Sequence, residues 1–143
     1  MIILLVEDEP LIAMVLGEVL ADAGHTVRGP ASTVRCGLKT LESGLPDLAL
    51  PDLALVDINL RNGDSGIDLA RELLSRWGVP SLFISGQSIE AHANRDAALG
   101  FIGKPYSSEA VLASIKVLEH IMDGSPPPGP RIPRELELFE KPD

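Results

Sequence analysis

The chain has 143 residues, 45% of them hydrophobic and 23% charged, with a net charge of −9 and only 3% aromatics. That length suits one domain with a core of Leu, Val, Ile and Ala, and this composition excludes a disordered chain. The negative charge, with no Lys/Arg-rich stripe, argues against direct nucleic-acid binding, and the single cysteine, Cys36, excludes an intrachain disulfide.

The chain opens with the apolar run Met1–Val6, followed at once by acids. It is too short for a membrane span or a signal-peptide core and has no basic leader, so no membrane contact and a cytoplasmic, reducing setting are expected. Ile2–Val6 reads as a strand buried on both faces. Ile12, Val15, Leu16, Val19 and Leu20 then repeat at helical spacing, with Pro10 near the helix start and Gly24 after its end. A short strand is predicted around Thr26–Arg28 and a helix over Ser32–Leu41, capped by Ser32 or Thr33. Cys36 lies in that helix and reads as a buried or half-buried filler, not a nucleophile.

Leu53–Val56 predicts a third strand that ends on Asp57. Ile67, Leu69, Ala70, Leu73 and Leu74 mark a helix stopped by Gly78 and Pro80, with Trp77 as a packing residue. Leu82–Ile84 is a fourth strand, Ile89–Leu99 a fourth helix and Phe101–Ile102 a short fifth strand. Val111, Leu112, Ile115, Leu118 and Ile121 outline the last helix. Five strand-then-helix repeats imply an α/β fold: a mostly parallel, doubly wound sheet covered on both faces. His25, His92 and His120 are scattered without metal-ligand spacing and read as solvated or capping residues.

Residues 1–123 thus form one unit, and 124–143 a proline-rich tail with no output domain. Ser125–Pro130 favours an extended path. The remainder to Asp143 reads as a loose tail, with a brief helix over Arg134–Phe139 as the lesser alternative. One internal feature is unusual: Pro46-Asp47-Leu48-Ala49-Leu50 recurs unchanged as Pro51-Asp52-Leu53-Ala54-Leu55. The prolines prevent both copies from sharing one helix or one central strand. The second copy, which runs into Val56-Asp57, should be the strand and the first an extra loop.

Ligands of doubly wound sheets gather beyond the carboxyl ends of the strands. There the first strand delivers Glu7 and Asp8, the third Asp57, the fourth Ser85 and the fifth Lys104. Crowded carboxylates repel one another unless a cation compensates, and a hard divalent ion such as Mg²⁺ takes a few carboxylates together with water and phosphate oxygens. Acids at a helix start also favour the macrodipole, which is the preferred reading of Glu9, whereas Asp8 is better read as a metal ligand.

Leu4-Leu5-Val6-Glu7-Asp8-Glu9, Leu55-Val56-Asp57-Ile58-Asn59-Leu60, Phe83-Ile84-Ser85-Gly86 and Lys104-Pro105-Tyr106 resemble, in order and near-family spacing, the signature of response-regulator receiver domains of two-component signalling. The resemblance covers about residues 2–122. It implies a flavodoxin-like receiver fold with a five-stranded parallel sheet in the order 2-1-3-4-5 and about five helices. It further implies that Asp57 accepts phosphate from a histidine kinase or phosphotransfer protein, in self-catalysed transfer with slow autodephosphorylation. Asp8, and Glu7 through water, would bind Mg²⁺ together with Asp57 and the backbone carbonyl of Asn59. Ser85 matches the switch hydroxyl, Lys104 the lysine that pairs with the phosphoryl group, and Phe101 the aromatic that swings inward. Pro105 stands where the family has a cis peptide. Output would pass through protein contact at the fourth helix, fifth strand and fifth helix, a face that could also form a homodimer.

There are departures. Glu7 replaces a common aspartate, Ser85 a frequent threonine, the loop Arg61–Gly66 is slightly long, and the repeat lengthens the acid-to-Asp57 spacing. Phe83–Gly86 and Gly63–Ile67 bear a fainter likeness to receivers of general-stress signalling. A phosphorylation-independent scaffold is the alternative within signalling, opposed by the intact Asp57, Asp8 and Lys104. A metal-dependent phosphohydrolase would need a nucleophilic Asp after the first strand and a second Asp two residues on. Glu7-Asp8-Glu9 does not provide that pair, and Pro10-Leu11-Ile12 is not the phosphate loop of a flavin-binding module.

Overall fold

The computed structural model describes residues 1–42, 50–60, 63–86, 88–125 and 129–139. In chain order its elements are β1 (Ile2–Val6), α1 (Pro10–Asp22), β2 (Thr26–Ala31), α2 (Val34–Glu42), β3 (Leu53–Asp57) and α3 (Gly66–Trp77). There follow β4 (Ser81–Ser85), α4 (Ser88–Ala93), a 3₁₀ turn (Arg95–Ala97), β5 (Gly100–Gly103), α5 (Ser108–Met122) and β6 (Leu136–Leu138). The sheet order is β2-β1-β3-β4-β5-β6, with the first five strands parallel and β6 antiparallel to β5. The flavodoxin-like order 2-1-3-4-5 is therefore present, extended by a sixth strand.

Strand alternation explains the two cores. Leu4, Val6, Ala54, Val56 and Phe83 point to one face, where Leu69, Ala70 and Leu73 of α3, Leu41 of α2 and Ala91 of α4 cover them. Their neighbours Ile3, Leu5, Leu53, Leu55, Leu82 and Ile84 point to the other, beneath Leu16 and Leu20 of α1 and Val111, Ile115 and Leu118 of α5. A period of two along strands buried on both sides yields continuous apolar runs, as a parallel sheet between helical layers requires.

Helix ends follow local chemistry. Pro10 is in the first turn of α1; Glu9 holds its N-cap position, but its side chain makes no capping bond. Thr33 Oγ1 accepts from the Cys36 N–H, Ser65 Oγ from Ile67 and Ser107 Oγ from Ala110, while Gly78 closes α3 at φ 69°. Trp77 packs against the core, with the Arg76 guanidinium over its ring.

Several expectations are corrected. Cys36 is exposed rather than a core filler, because it lies on the outer side of α2, whose buried positions are Gly37 and Leu41. The fourth helix stops at Ala93. Arg71 of α3 holds the Asn94 side chain at 2.8 Å and Asp96 at 2.7 Å, fixing the chain after Ala93 as a turn and a short 3₁₀ segment. Within the tail, Leu136–Leu138 is neither loose nor helical, since it pairs with the outer edge of β5. The second copy of the repeat does supply β3, and Asp52 is tied to Ile2 by both its backbone N–H and its carboxylate. The first copy falls almost entirely outside the described residues. No helix among the described residues is long and apolar enough to cross a membrane.

Candidate functional site at the carboxyl edge of the sheet

Register brings the strand ends together. Val6 of β1 lies opposite Val56 of β3, Asp57 opposite Ile84 of β4, and Ser85 opposite Gly103 of β5. The residues that follow these strands therefore converge. The Lys104 N–H donates to the Ser85 carbonyl at 2.9 Å and the Ile58 N–H to that of Ile84 at 3.1 Å, so the loops leave the sheet in fixed directions. Lys104–Pro105 is a cis peptide bond.

One carboxylate oxygen from each of Glu7, Asp8 and Asp57 lies within 4.8 Å of the others. Glu7 and Asp57 are only 2% and 3% exposed. The Lys104 Nζ donates to Asp57 Oδ2 at 3.2 Å, and the Asn59 N–H donates to Oδ1 at 3.0 Å. Glu7 Oε1 accepts from the Glu9 N–H at 3.1 Å, while Oε2 is buried with no hydrogen-bond partner. Burial pushes the Glu7 carboxyl up to about 7 and the Asp57 charge adds to this, whereas the Glu9 N–H and Lys104 oppose it.

An orphaned, buried carboxylate oxygen facing two further acids and one lysine is a donor set that suits a hard divalent cation. Oxygen ligands are the preferred partners of Mg²⁺, and a bound cation would satisfy the atom left without a partner. The residues present therefore fit the ion expected from the sequence.

Ser85 is buried at the end of β4, beside Lys104. Phe101 is buried, stacked on Phe139 at 5.9 Å and edge-on to His92 at 5.3 Å. Asn59 is exposed and forms an isolated bridge with Ser65 just before α3. All seven residues selected from the sequence thus lie at or beside one rim: Glu7, Asp8, Asp57, Asn59, Ser85 and Lys104 at the acidic pocket, Phe101 within β5.

Two neighbours carried no chemical signal in the sequence. Gly66 opens α3 so close to β3 that a Cβ there would overlap the Asp57 carbonyl oxygen, and its N–H donates to Ile58. Its only traces were its place in a loop already read as unusual in length and within the Gly63–Ile67 run. Tyr106 is half-buried, its hydroxyl pushed up to about 12 by burial and by the charges of Glu7, Asp57 and Glu9. Its proximity was foreshadowed only by the Lys104-Pro105-Tyr106 run.

Comparison with known proteins bears on the family and the fold. The family model for the response regulator receiver domain matches residues 3–116. The phyllosphere-induced regulator PhyR of Methylorubrum extorquens is 36% identical over 115 residues, covering 79% of this chain and 41% of that protein. The transcriptional regulatory protein PdtaR of Mycobacterium tuberculosis is 30% identical over 118 residues, covering 80% and 55%. The chain thus spans about half, or less, of the curated relatives it matches. Among solved structures, PhyR from Brucella abortus is 30% identical with a TM-score of 0.62, covering 76% of this chain and 43% of that one. A CheY-like receiver domain protein from Methanospirillum hungatei, 24% identical, shares the fold with a TM-score of 0.72 over 87% of this chain and 98% of its own. With the family model spanning most of its length, the chain belongs to the response regulator receiver domain family.

Proposed function

We propose that Asp57 takes a phosphoryl group from a phosphohistidine of a histidine kinase or phosphotransfer protein, and that the chain then signals by protein contact. The observation that carries this reading is the placement of Asp57. It is a buried carboxylate with one oxygen on Lys104 Nζ at 3.2 Å, in reach of two further acids, one of which keeps an unpartnered oxygen.

The chemistry follows from these groups. An Asp57 oxygen attacks phosphorus as the donor's P–N bond breaks, and the bonding pair stays on the imidazole nitrogen. A carboxylate meeting a phosphoryl group needs both negative charges offset, and Lys104 supplies one cation within hydrogen-bond distance. Mg²⁺ held by Glu7, Asp8, Asp57 and the Asn59 carbonyl would supply the rest of that charge when bound. The Asn59 N–H fixes the second Asp57 oxygen at 3.0 Å and so orients the acceptor. Ser85 and Lys104, joined by the backbone bond between them, would engage the new phosphoryl oxygens and carry the change into β5, where Phe101 sits. The chain would be a self-modifying switch in the cytoplasm, not a turnover enzyme.

A protein donor needs a surface beside the acceptor. Leu11, Met14 and Val15 on α1 are exposed, and a groove of about 620 Å³ lined by Leu11, Ile12, Val15 and Tyr106 lies next to Lys104. A homodimer through α4, β5 and α5 would have to accommodate β6, which already covers the outer edge of β5.

Incubation with Mg²⁺ and a small acyl phosphate, followed by intact-protein mass measurement, tests the acceptor. A phosphoryl adduct is expected in wild type and in Asp52→Asn but not in Asp57→Asn. A wild type that stays unmodified under those conditions would favour the phosphorylation-independent scaffold.

A further inference from the structure

The outer edge of β5 is covered by the chain's own C-terminal segment. Gly100, Phe101 and Ile102 lie opposite Leu138, Glu137 and Leu136, and the ladder is closed by Gly103 N–H to Glu135 and Phe139 N–H to Leu99 at 3.3 and 2.9 Å. The approach depends on Gly100, because a Cβ there would overlap the Glu137 carbonyl oxygen. Side chains complete the fit. Leu136 is buried in the α1/α5-side core, Glu137 pairs with His92 of α4, and Phe139 stacks on Phe101 with His92 edge-on to both rings.

Three features mark this strand as removable. It has three residues where its neighbours in the parallel sheet have four to six. Of its side chains only Leu136 is fully buried. It also follows a proline-rich stretch of sequence, and the described residues Arg131 and Ile132 shortly before it are exposed. Segments with few buried contacts open at low free energy. A sheet edge bared in this way presents unpaired backbone groups that a foreign strand can take up. The strap is also next to the acceptor pocket: a cavity of about 530 Å³ is bounded by Ser85, Lys104 and Phe101 on one side and Glu135 and Glu137 on the other.

We propose that the β5 edge, with the His92–Phe101 corner, is a docking groove for an extended segment of a partner protein with apolar–acidic–apolar–aromatic order, and that Leu136–Phe139 fills it in cis until phosphorylation releases it. The release step rests on Asp57 being the acceptor; the groove does not. The alternating order follows from the site: the first apolar residue enters the core, the acid meets His92 and the aromatic stacks on Phe101.

The test uses the full chain and a fluorescent synthetic peptide with the sequence of Arg131–Phe139. The strap of wild type competes at the high effective concentration of a tethered segment, so the peptide should bind it weakly. Glu137→Pro removes a ladder donor from the strap, and Phe139→Ala removes its aromatic anchor; each should tighten peptide binding at least about tenfold. Amide protection in β1 and β3, measured on the same samples, verifies an intact core. Adding Gly100→Ala to Glu137→Pro should abolish binding, because the peptide needs the same close approach. Wild type carrying a mass-verified phosphoryl group should bind like Glu137→Pro. Binding to Glu137→Pro no tighter than to wild type, or binding that survives Gly100→Ala, overturns the groove. A phosphorylated wild type without tighter binding overturns the release step. A chain that gains no phosphoryl group at all counts instead against Asp57 as acceptor, and the peptide arms still decide the groove.

Discussion

The carboxyl rim of the sheet and its β5–β6 edge lie side by side and are built from opposite materials. The rim consists of side-chain charge: three acids, one lysine at 3.2 Å from Asp57, and a buried Glu7 oxygen without a partner. The edge is held by backbone pairing and by apolar and ring contacts, with an exposed polar contact between His92 and Glu137. A rim that leaves polar atoms unsatisfied gives up stability and is ready for a ligand. An edge satisfied by its own tail is closed until something competes. Lys104 and Ser85 border both regions, so a change in charge at the first can be felt at the second.

That contrast can be broken from either side. The largest effect is expected from Lys104→Ala, which removes the cation bonded to Asp57 among the described residues. Phosphoryl uptake from a small acyl phosphate should slow by about 10²-fold or more, as when one oriented stabilising group is lost, and rapid-quench mass measurement would show it. An uptake rate near wild type would mean that the rim does not work through Lys104.

Gly66→Ala comes next, acting by geometry instead of charge. The added methyl group would press on the Asp57 carbonyl and the Val56 side chain, costing about 1–3 kcal/mol in urea unfolding. On the edge, Phe139→Ala removes the stack on Phe101, worth about 0.5–1.5 kcal/mol, together with the edge contact to His92, and should loosen the strap with little change in global unfolding. If Phe139→Ala destabilises the whole domain as much as Gly66→Ala does, the edge is part of the core and not a detachable strap.

The smallest effect is a pH dependence at Glu7. Its folded value near 7 lies above the ordinary 4.5, so the folded state holds this proton where the unfolded state has lost it. In metal-free protein, stability should therefore decline as pH rises from about 4.5 to 7, and Glu7→Gln should flatten that slope. Mg²⁺ binding should strengthen over the same interval, since the proton must leave before a cation can use the oxygen. Calorimetry at several pH values, with and without Mg²⁺, checks both directions; a slope unchanged in Glu7→Gln would remove Glu7 from the account.

The same two regions explain what could be read from the sequence. Ile2–Val6, Leu53–Val56 and Leu82–Ile84 are apolar runs ending on polar groups, and parallel pairing carries those ends to one rim. The site was therefore legible before its distances were. The edge was not. Arg134–Phe139 mixes charged and apolar residues after a proline-rich run, a pattern common to tails and strands alike. Its pairing depends on a free edge some 35 positions back in the sequence, roughly the separation of Leu136 from Ile102, and no local propensity records that. The early end of α4 was hidden for a similar reason, because the fork that ends it comes from Arg71, on another helix. Gly66 and Gly100 gave no chemical signal, since what matters at each is a close approach that only the folded chain makes.

The central claim is the identity of the acceptor, and its most direct test is to locate the modified residue. The chain is treated with Mg²⁺ and a small acyl phosphate, reduced with borohydride to convert an aspartyl phosphate to homoserine, digested and mapped by mass spectrometry. Homoserine at position 57, with Asp8 and Asp52 unchanged, is the predicted result. Homoserine at position 8 or 52 with Asp57 intact would contradict it.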